Sequence, residues 1–253
     1  MEILQNIVLF IAGIIGGLYG GSVGGGALVT FPLLLMFGLS TPAAIATQRL
    51  GAIFLEASSS TKFYKEHKLD LKTGLLFGFI AATGGLIGST ITVAIDEKVL
   101  NLIVGIFFTL AVLMLVYETH LGLHNRKHNI KFNAPTSIMV FLTGVYGGFF
   151  GVAFGTLIMI VFLMNKLSYQ NSAALARICG LVVSITSSIV FAYYGLIDYA
   201  MGISLGVGFA IGSWIGIDIA LKKGSKYFKF LIIIVASITV FKLFSSFFNI
   251  HII

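Results

Sequence analysis

The sequence predicts an all-α polytopic membrane protein built from two inverted repeats, each a glycine-rich returning segment followed by three transmembrane helices. Three observations predict it. First, mean hydropathy is +1.04, with 58% hydrophobic and only 10% charged residues. Apolar runs of about 18 residues or more span a bilayer, and here they follow one another almost without interruption. Second, the chain repeats itself. Arg49 in LSTPAAIATQRLGAIFLEASSS and Arg177 in LSYQNSAALARICGLVVSITSS align at an offset of 128, with Leu39/Leu167, Ser40/Ser168, Ala46/Ala174, Ser59/Ser187 and Ser60/Ser188. Third, the basic residues fall on one face only if each repeat makes an odd number of crossings.

The apolar segments are 4–37, 43–62, 73–94, 99–119, 136–164, 170–195, 200–221 and 229–249. Segments one to four form a first membrane repeat, 1–119, and segments five to eight a second, 136–253, joined by a cytoplasmic loop at 120–135. The match extends downstream through Asp70/Asp198, Gly74/Gly202, Gly78/Gly206, Gly84/Gly212 and Gly88/Gly216. Upstream the offset becomes 131, pairing Gly13/Gly144, Gly16/Gly147, Gly17/Gly148, Gly20/Gly151 and Gly24/Gly155.

Cytoplasmic loops carry an excess of Lys and Arg. If every segment crosses once, the Lys-rich loops 62–72 and 222–229 fall on opposite faces and no bias appears. If 4–37 and 136–164 each return to the face they entered, one face holds Lys62, Lys65, Lys68, Lys72, Arg126, Lys127, Lys131, Lys166, Lys222, Lys223, Lys226 and Lys229, and the other only Lys98. The second arrangement inverts the repeats, as in many secondary transporters. It puts both termini outside. Whether the returning segments are re-entrant or full hairpins stays open, though 136–164 is short for two crossings.

The returning segments carry glycine in a stripe. Gly13, Gly16, Gly17, Gly20, Gly21 and Gly24 fall on one helix face, and Gly144, Gly147, Gly148, Gly151 and Gly155 repeat it. Small residues let helices approach closely in lipid. The same glycines permit a helix break within GGSVGGG and GVAFG, which is tolerated at membrane depth where it lines a cavity. The freed N–H groups of Ser22, Gly24, Gly25, Gly151 and Gly155 would then face an anion. The two readings are compatible. A dinucleotide-binding reading of these glycines fails, because no strand precedes them.

Arg49 and Arg177 lie seven to ten residues into their helices, roughly 10–15 Å at 1.5 Å per residue. An arginine inside a membrane segment marks function by default. Entering from opposite faces, the pair would approach the midplane together. A planar guanidinium suits oxyanions; the competing reading pairs each with helix C-terminal carbonyls or an acid. Thr47 and Gln48, beside Arg49, are further candidates for substrate contact. Glu56, seven residues on and on the same face, is the one acid deep in a segment. It either neutralises an arginine or carries a coupling proton. Its repeat equivalent is Ser184. Asp70 and Asp198 read as helix caps, and Asp218 and Lys222 as an i, i+4 pair.

The opening GGLYGGSVGGGALVTFPLLL, the Ala46-Thr47 pair, the LDLKTG and LIDYAMG turns and their recurrence resemble the TauE/SafE sulfite exporter family over nearly the whole chain. The resemblance implies export or uptake of a small sulfur-containing anion: sulfite, thiosulfate or an organosulfonate.

The expectation is a secondary transporter working by alternating access at a central two-arginine site, in the plasma (inner) membrane of a prokaryote. The alternatives are a passive anion channel or a non-transporting scaffold or intramembrane enzyme. No nucleophile–base constellation and no nucleotide motif appears, so no enzyme activity and no cofactor is expected. Energy would come from the substrate's own gradient or from a proton or other coupling ion. The pI near 9.5 does not indicate nucleic acid, because the basic residues are scattered among short loops. His120, His124 and His128 are spaced for a metal, but GLHNRKHN reads as loop and nothing completes the set, so no metal is expected. Cys179, alone, reads as a packing residue, and MEILQNIVLFIAGIIGG lacks the basic start of a cleaved signal. Lipid surrounds the chain, and an oligomer is compatible with it.

Overall fold

The computed structural model describes residues 2–21, 24–66, 70–117 and 132–223. Among them lie nine α-helices and no strand. Segment 4–37 resolves into α1 (Glu2–Gly20) and a short α2 (Ala27–Met36), and segment 136–164 into α6 (Ala134–Phe149) and α7 (Phe154–Met164). Between them run α3 (Thr41–Lys65), α4 (Leu71–Ala94) and α5 (Glu97–Tyr117); α8 (Tyr169–Tyr193) and α9 (Tyr199–Lys223) follow. The eighth segment, 229–249, the loop carrying the three histidines, and Ser22 lie outside the described residues.

Local chemistry sets the ends. The Asp70 carboxylate accepts from the Thr73 N–H at 3.2 Å and from its hydroxyl at 2.6 Å, capping α4. Asp198 accepts from the Met201 N–H at 2.9 Å and Asn133 from the Thr136 N–H at 2.9 Å, at the starts of α9 and α6. Both aspartate caps match the sequence. Asp218 pairs with Lys62, at 2.7 Å across to α3; the side chain of Lys222, its expected partner, lies outside the described residues.

Among the described residues four helices are long and apolar enough to cross a membrane: Glu2–Gly20, Leu71–Ala94, Tyr169–Tyr193 and Tyr199–Ile219. Each shows lipid one side and its neighbours another. On α4, Gly74, Phe77, Gly78, Ala81 and Gly85 are buried, while Leu75, Leu76, Phe79 and Leu86 are exposed. In a bilayer such an outward apolar face is solvated by acyl chains, so it carries no penalty.

Glycine contacts fix the directions of the helices. Cβ positions at Gly13, Gly17 and Gly21 of α1 meet Leu205, Phe209 and Ser213 of α9 in the same order, so α1 and α9 run parallel. Gly51 of α3 meets Leu205, and Phe54 lies on Gly206, so α3 runs with them. By the same reasoning α4, α6 and α8 run together: Gly144 and Gly148 lie on Ala81 and Gly85, and Gly74 and Gly78 on Ile178 and Val182. The short turn from Tyr194 to Asp198 reverses the chain between α8 and α9, so the two sets are opposed. The packing repeats when the halves are exchanged: α1 against α9 answers α6 against α4, α3 against α9 answers α8 against α4, and α3 crosses α8 at the centre. Lys62, Lys65, Lys72 and Lys166 then lie at one end of the stack and Lys98 at the other.

These crossings are close enough to forbid side chains. A Cβ at Gly144 would collide with the Ala81 carbonyl oxygen, one at Gly148 with that of Gly85. The fit replaces the hydrophobic drive that lipid removes. Gly144→Val is expected to destabilise the protein by about 3 kcal/mol, the upper end of overpacking costs. An unfolding titration in detergent checks it, and a loss below about 1 kcal/mol would contradict the packing.

Candidate functional site

The two returning segments break inside the protein. α1 ends level with Ser213, and α9 continues ten residues further, 213 to 223, or about 15 Å of helix. The chain turns through Gly24 and Gly25, whose φ of +105° and +87° only glycine adopts without strain, and α2 starts. In the second half α6 ends at Phe149, Ala153 takes φ +59° and α7 starts. That turn is pinned twice: the Tyr146 hydroxyl donates to the Val152 carbonyl at 2.6 Å, and the Thr92 hydroxyl to the Phe149 carbonyl at 2.6 Å. The two breaks touch, since a Cβ at Gly24 would lie 2.6 Å from the Thr156 nitrogen.

Each arginine crosses to the other half's break. The Arg49 guanidinium donates through Nη2 to the Gly147 carbonyl, in the last turn of α6. Arg177 donates through Nη1 to the Gly20 carbonyl, at the end of α1, at 3.0 Å. Both cations therefore sit at the negative ends of helices. Gly151 and Gly155 are required beside them: a Cβ at either would strike the Nη2 of Arg49 or of Arg177. The arginines are 5% and 1% exposed, so lipid and bulk water are both shut out.

The sequence left Glu56 with either arginine; it is Arg177 that it meets. Arg177 Nη1 lies 3.2 Å from both carboxylate oxygens. Gly180 makes room, as a Cβ there would lie 2.7 Å from the carboxyl group. Ser184, the counterpart of Glu56, is fully buried and has no hydrogen-bond partner among the described residues. Thus the repeat supplies two cations but a single anion.

These groups line a cavity of about 40 Å³. Its walls are the first residues of α2 and α7 (Gly24 to Ala27, Ala153 to Gly155), the α3 stripe of Gln48, Arg49, Ala52, Leu55 and Glu56, and Gly20, Gly151, Arg177 and Phe209. That is room for a few waters or one small oxyanion. Two helix N-termini open into it with the positive ends of their dipoles, while the Leu28, Val29, Phe154, Thr156 and Leu157 N–H groups donate to carbonyls of the turns before them. Donors remain on the cations: Arg49 Nε, Arg177 Nε and Arg177 Nη2 are buried with no partner among the described residues.

Of the residues expected from sequence, Arg49, Arg177, Gln48, Glu56, Gly24, Gly25, Gly151 and Gly155 line this one cavity. Gln48 is held by the Thr30 hydroxyl, which donates to its Oε1 at 2.8 Å. Thr47 does not join them. Its hydroxyl accepts from the Asp198 N–H at 3.0 Å, tying α3 to the start of α9. The competing expectation, that each arginine pairs with helix C-terminal carbonyls or an acid, is met: Gly147 and Gly20 supply the carbonyls and Glu56 the acid, and only the identity of the two carbonyls was not named from sequence. Among the described residues no cluster of His, Cys, Asp or Glu could hold a metal ion.

Fold and cavity define a multi-pass helical membrane protein with a polar centre lined from both parts of the chain. The chain belongs to the sulfite exporter TauE/SafE family, whose profile matches residues 9–243. It is similar to the probable membrane transporter protein ORF9 of Sinorhizobium sp, at 24% identity over 90% of this chain and 88% of the relative. It is similar also to YdhB of Bacillus subtilis (strain 168), at 28% over 83% and 86%. A third relative is YfcA of Escherichia coli (strain K12), at 26% over 93% and 88%; both are named as probable membrane transporter proteins. No solved structure matches the chain. The chain is thus a membrane transporter and not an enzyme.

Proposed function

We propose that the protein is a secondary transporter of a small sulfur-containing anion, such as sulfite, thiosulfate or an organosulfonate, working by alternating access at a central site formed by Arg49 and Arg177. The observation that carries this reading is their convergence, from repeat-related helices, on one cavity, with guanidinium donors that have no partner among the described residues. Gln48 and the glycine turns at Gly24, Gly25, Gly151 and Gly155 complete the site. The family name supports the sulfur oxyanion.

Repeats 1–119 and 136–253 are inverted about the α3–α8 crossing, and the returning segments are re-entrant, each reaching the middle and turning back. The opposed directions of α1 and α6, and of α3 and α8, support this. The Lys-rich end faces the cytoplasm, the side that loops rich in Lys and Arg occupy, which places the N-terminus outside the inner membrane of a prokaryote and loop 120–135 inside. Inverted repeats supply alternating access because the halves can exchange conformations around a fixed site.

Proteoliposomes preloaded with unlabelled sulfite test the reading. Saturable, trans-stimulated uptake of labelled sulfite, thiosulfate or taurine is expected. Single-channel currents that never saturate would contradict it and establish a channel.

A further inference from the structure

We propose that Glu56 sets the charge of the ion this site accepts: the cavity takes a singly charged oxyanion, of the sulfonate or hydrogen sulfite type, and rejects a doubly charged one such as sulfate. The inference rests on the anion-transport reading above and narrows its substrate class.

The charge count carries it. Among the described residues the cavity's charged side chains are Arg49, Arg177 and Glu56. Glu56 lies 3.2 Å from Arg177 and is itself 7% exposed, so it neutralises that cation internally. Arg49 donates to the Gly147 carbonyl, and its partner there carries no formal charge. The repeat position that would supply Arg49 with an acid holds Ser184. Glu56 is therefore an added charge on a symmetric frame, and it leaves the cavity at a net +1.

A site of that charge discriminates by valence. Attraction to the site grows in proportion to the charge of the ion. The cost of removing the ion from water grows as its square in the Born description. A second negative charge therefore gains one more unit of attraction and incurs about four times the desolvation cost. It would also lie beside the Glu56 carboxylate, a like-charge contact of the kind that builds specificity by repulsion. A monoanion instead neutralises the cavity. Glu56 keeps its place on Arg177 as it does so.

Methanesulfonate and sulfate, similar in size and different in charge, are the probes. Their binding to the purified full-length protein is measured by titration calorimetry at neutral pH, for wild type and for Glu56→Gln. The wild type is expected to bind methanesulfonate at least ten-fold more tightly than sulfate. In Glu56→Gln, where the cavity becomes +2, the ratio is expected to fall by ten-fold or more, through tighter sulfate binding. Equal affinities in the wild type, or a ratio that Glu56→Gln leaves unchanged, would overturn the valence assignment while the anion site stands. Failure of every anion to bind the wild type would overturn both. The wild-type comparison decides the matter alone should Glu56→Gln not fold.

Discussion

Arg49→Ala is expected to lower anion transport by roughly 100-fold, equivalent to about 3 kcal/mol for a buried charged contact. The fold should survive. Arg49 bonds to a neutral carbonyl, so its removal leaves no buried charge behind. It opens a space beside Gly151, whose missing Cβ now accommodates the guanidinium. The melting temperature should move by no more than about 3 °C. Counterflow in proteoliposomes and a melting curve on the same preparation check both halves. Transport at wild-type rate would place Arg49 among groups that only tie α3 to α6.

Arg177→Ala is expected to behave differently. Its removal leaves Glu56 as a buried carboxylate with no counter-charge, which costs about 3–5 kcal/mol. It also orphans the Gly20 carbonyl at the end of α1. The single variant should express poorly or melt early. Adding Glu56→Gln removes the stranded charge, and the double variant should recover stability by at least about 2 kcal/mol while remaining unable to transport. Additive losses would mean that Arg177 and Glu56 are not coupled.

Several features of the site were legible in the residues because the chain states them twice. The offset of 131 marked both breaks, since Gly20/Gly151 and Gly24/Gly155 recur where the stripe must stop being a helix. The 128 offset marked the arginines, and Asp70 and Asp198 declared their helices by ordinary capping. What a repeat could not supply was the cross-half pairing. Arg177 and Glu56 lie 121 positions apart, and which arginine takes the acid depends on the α3–α8 crossing. Gly20 and Gly147 act through their carbonyls, which every residue has, so no side-chain pattern announces them. Thr47 shows the opposite limit. Its neighbours Gln48 and Arg49 line the cavity, but one residue along a helix turns a side chain by about 100°, toward α9. Likewise the contact of Asp218 with Lys62 joins residues 156 positions apart, which a local i, i+4 pattern does not announce.

The asymmetry between Glu56 and Ser184 has a mechanical consequence for a two-fold site. In the alternating-access reading proposed above, inverted repeats would make the outward and inward states near mirror exchanges. A single acid bound to Arg177 distinguishes the two, so the halves carry unequal charge even when the cavity is empty.

The measurement that bears most directly on one anion site shared by both halves is a ligand-induced melting shift on purified protein. Sulfite, thiosulfate, methanesulfonate, sulfate, phosphate and chloride are each titrated against wild type and Arg49→Ala. A ligand that binds the folded state stabilises it as RT ln(1 + [L]/Kd), so the shift should rise with concentration. A rising shift with a sulfur oxyanion, absent in a folded Arg49→Ala, is the result this account predicts. No shift with any anion, or a shift that Arg49→Ala keeps, would contradict it.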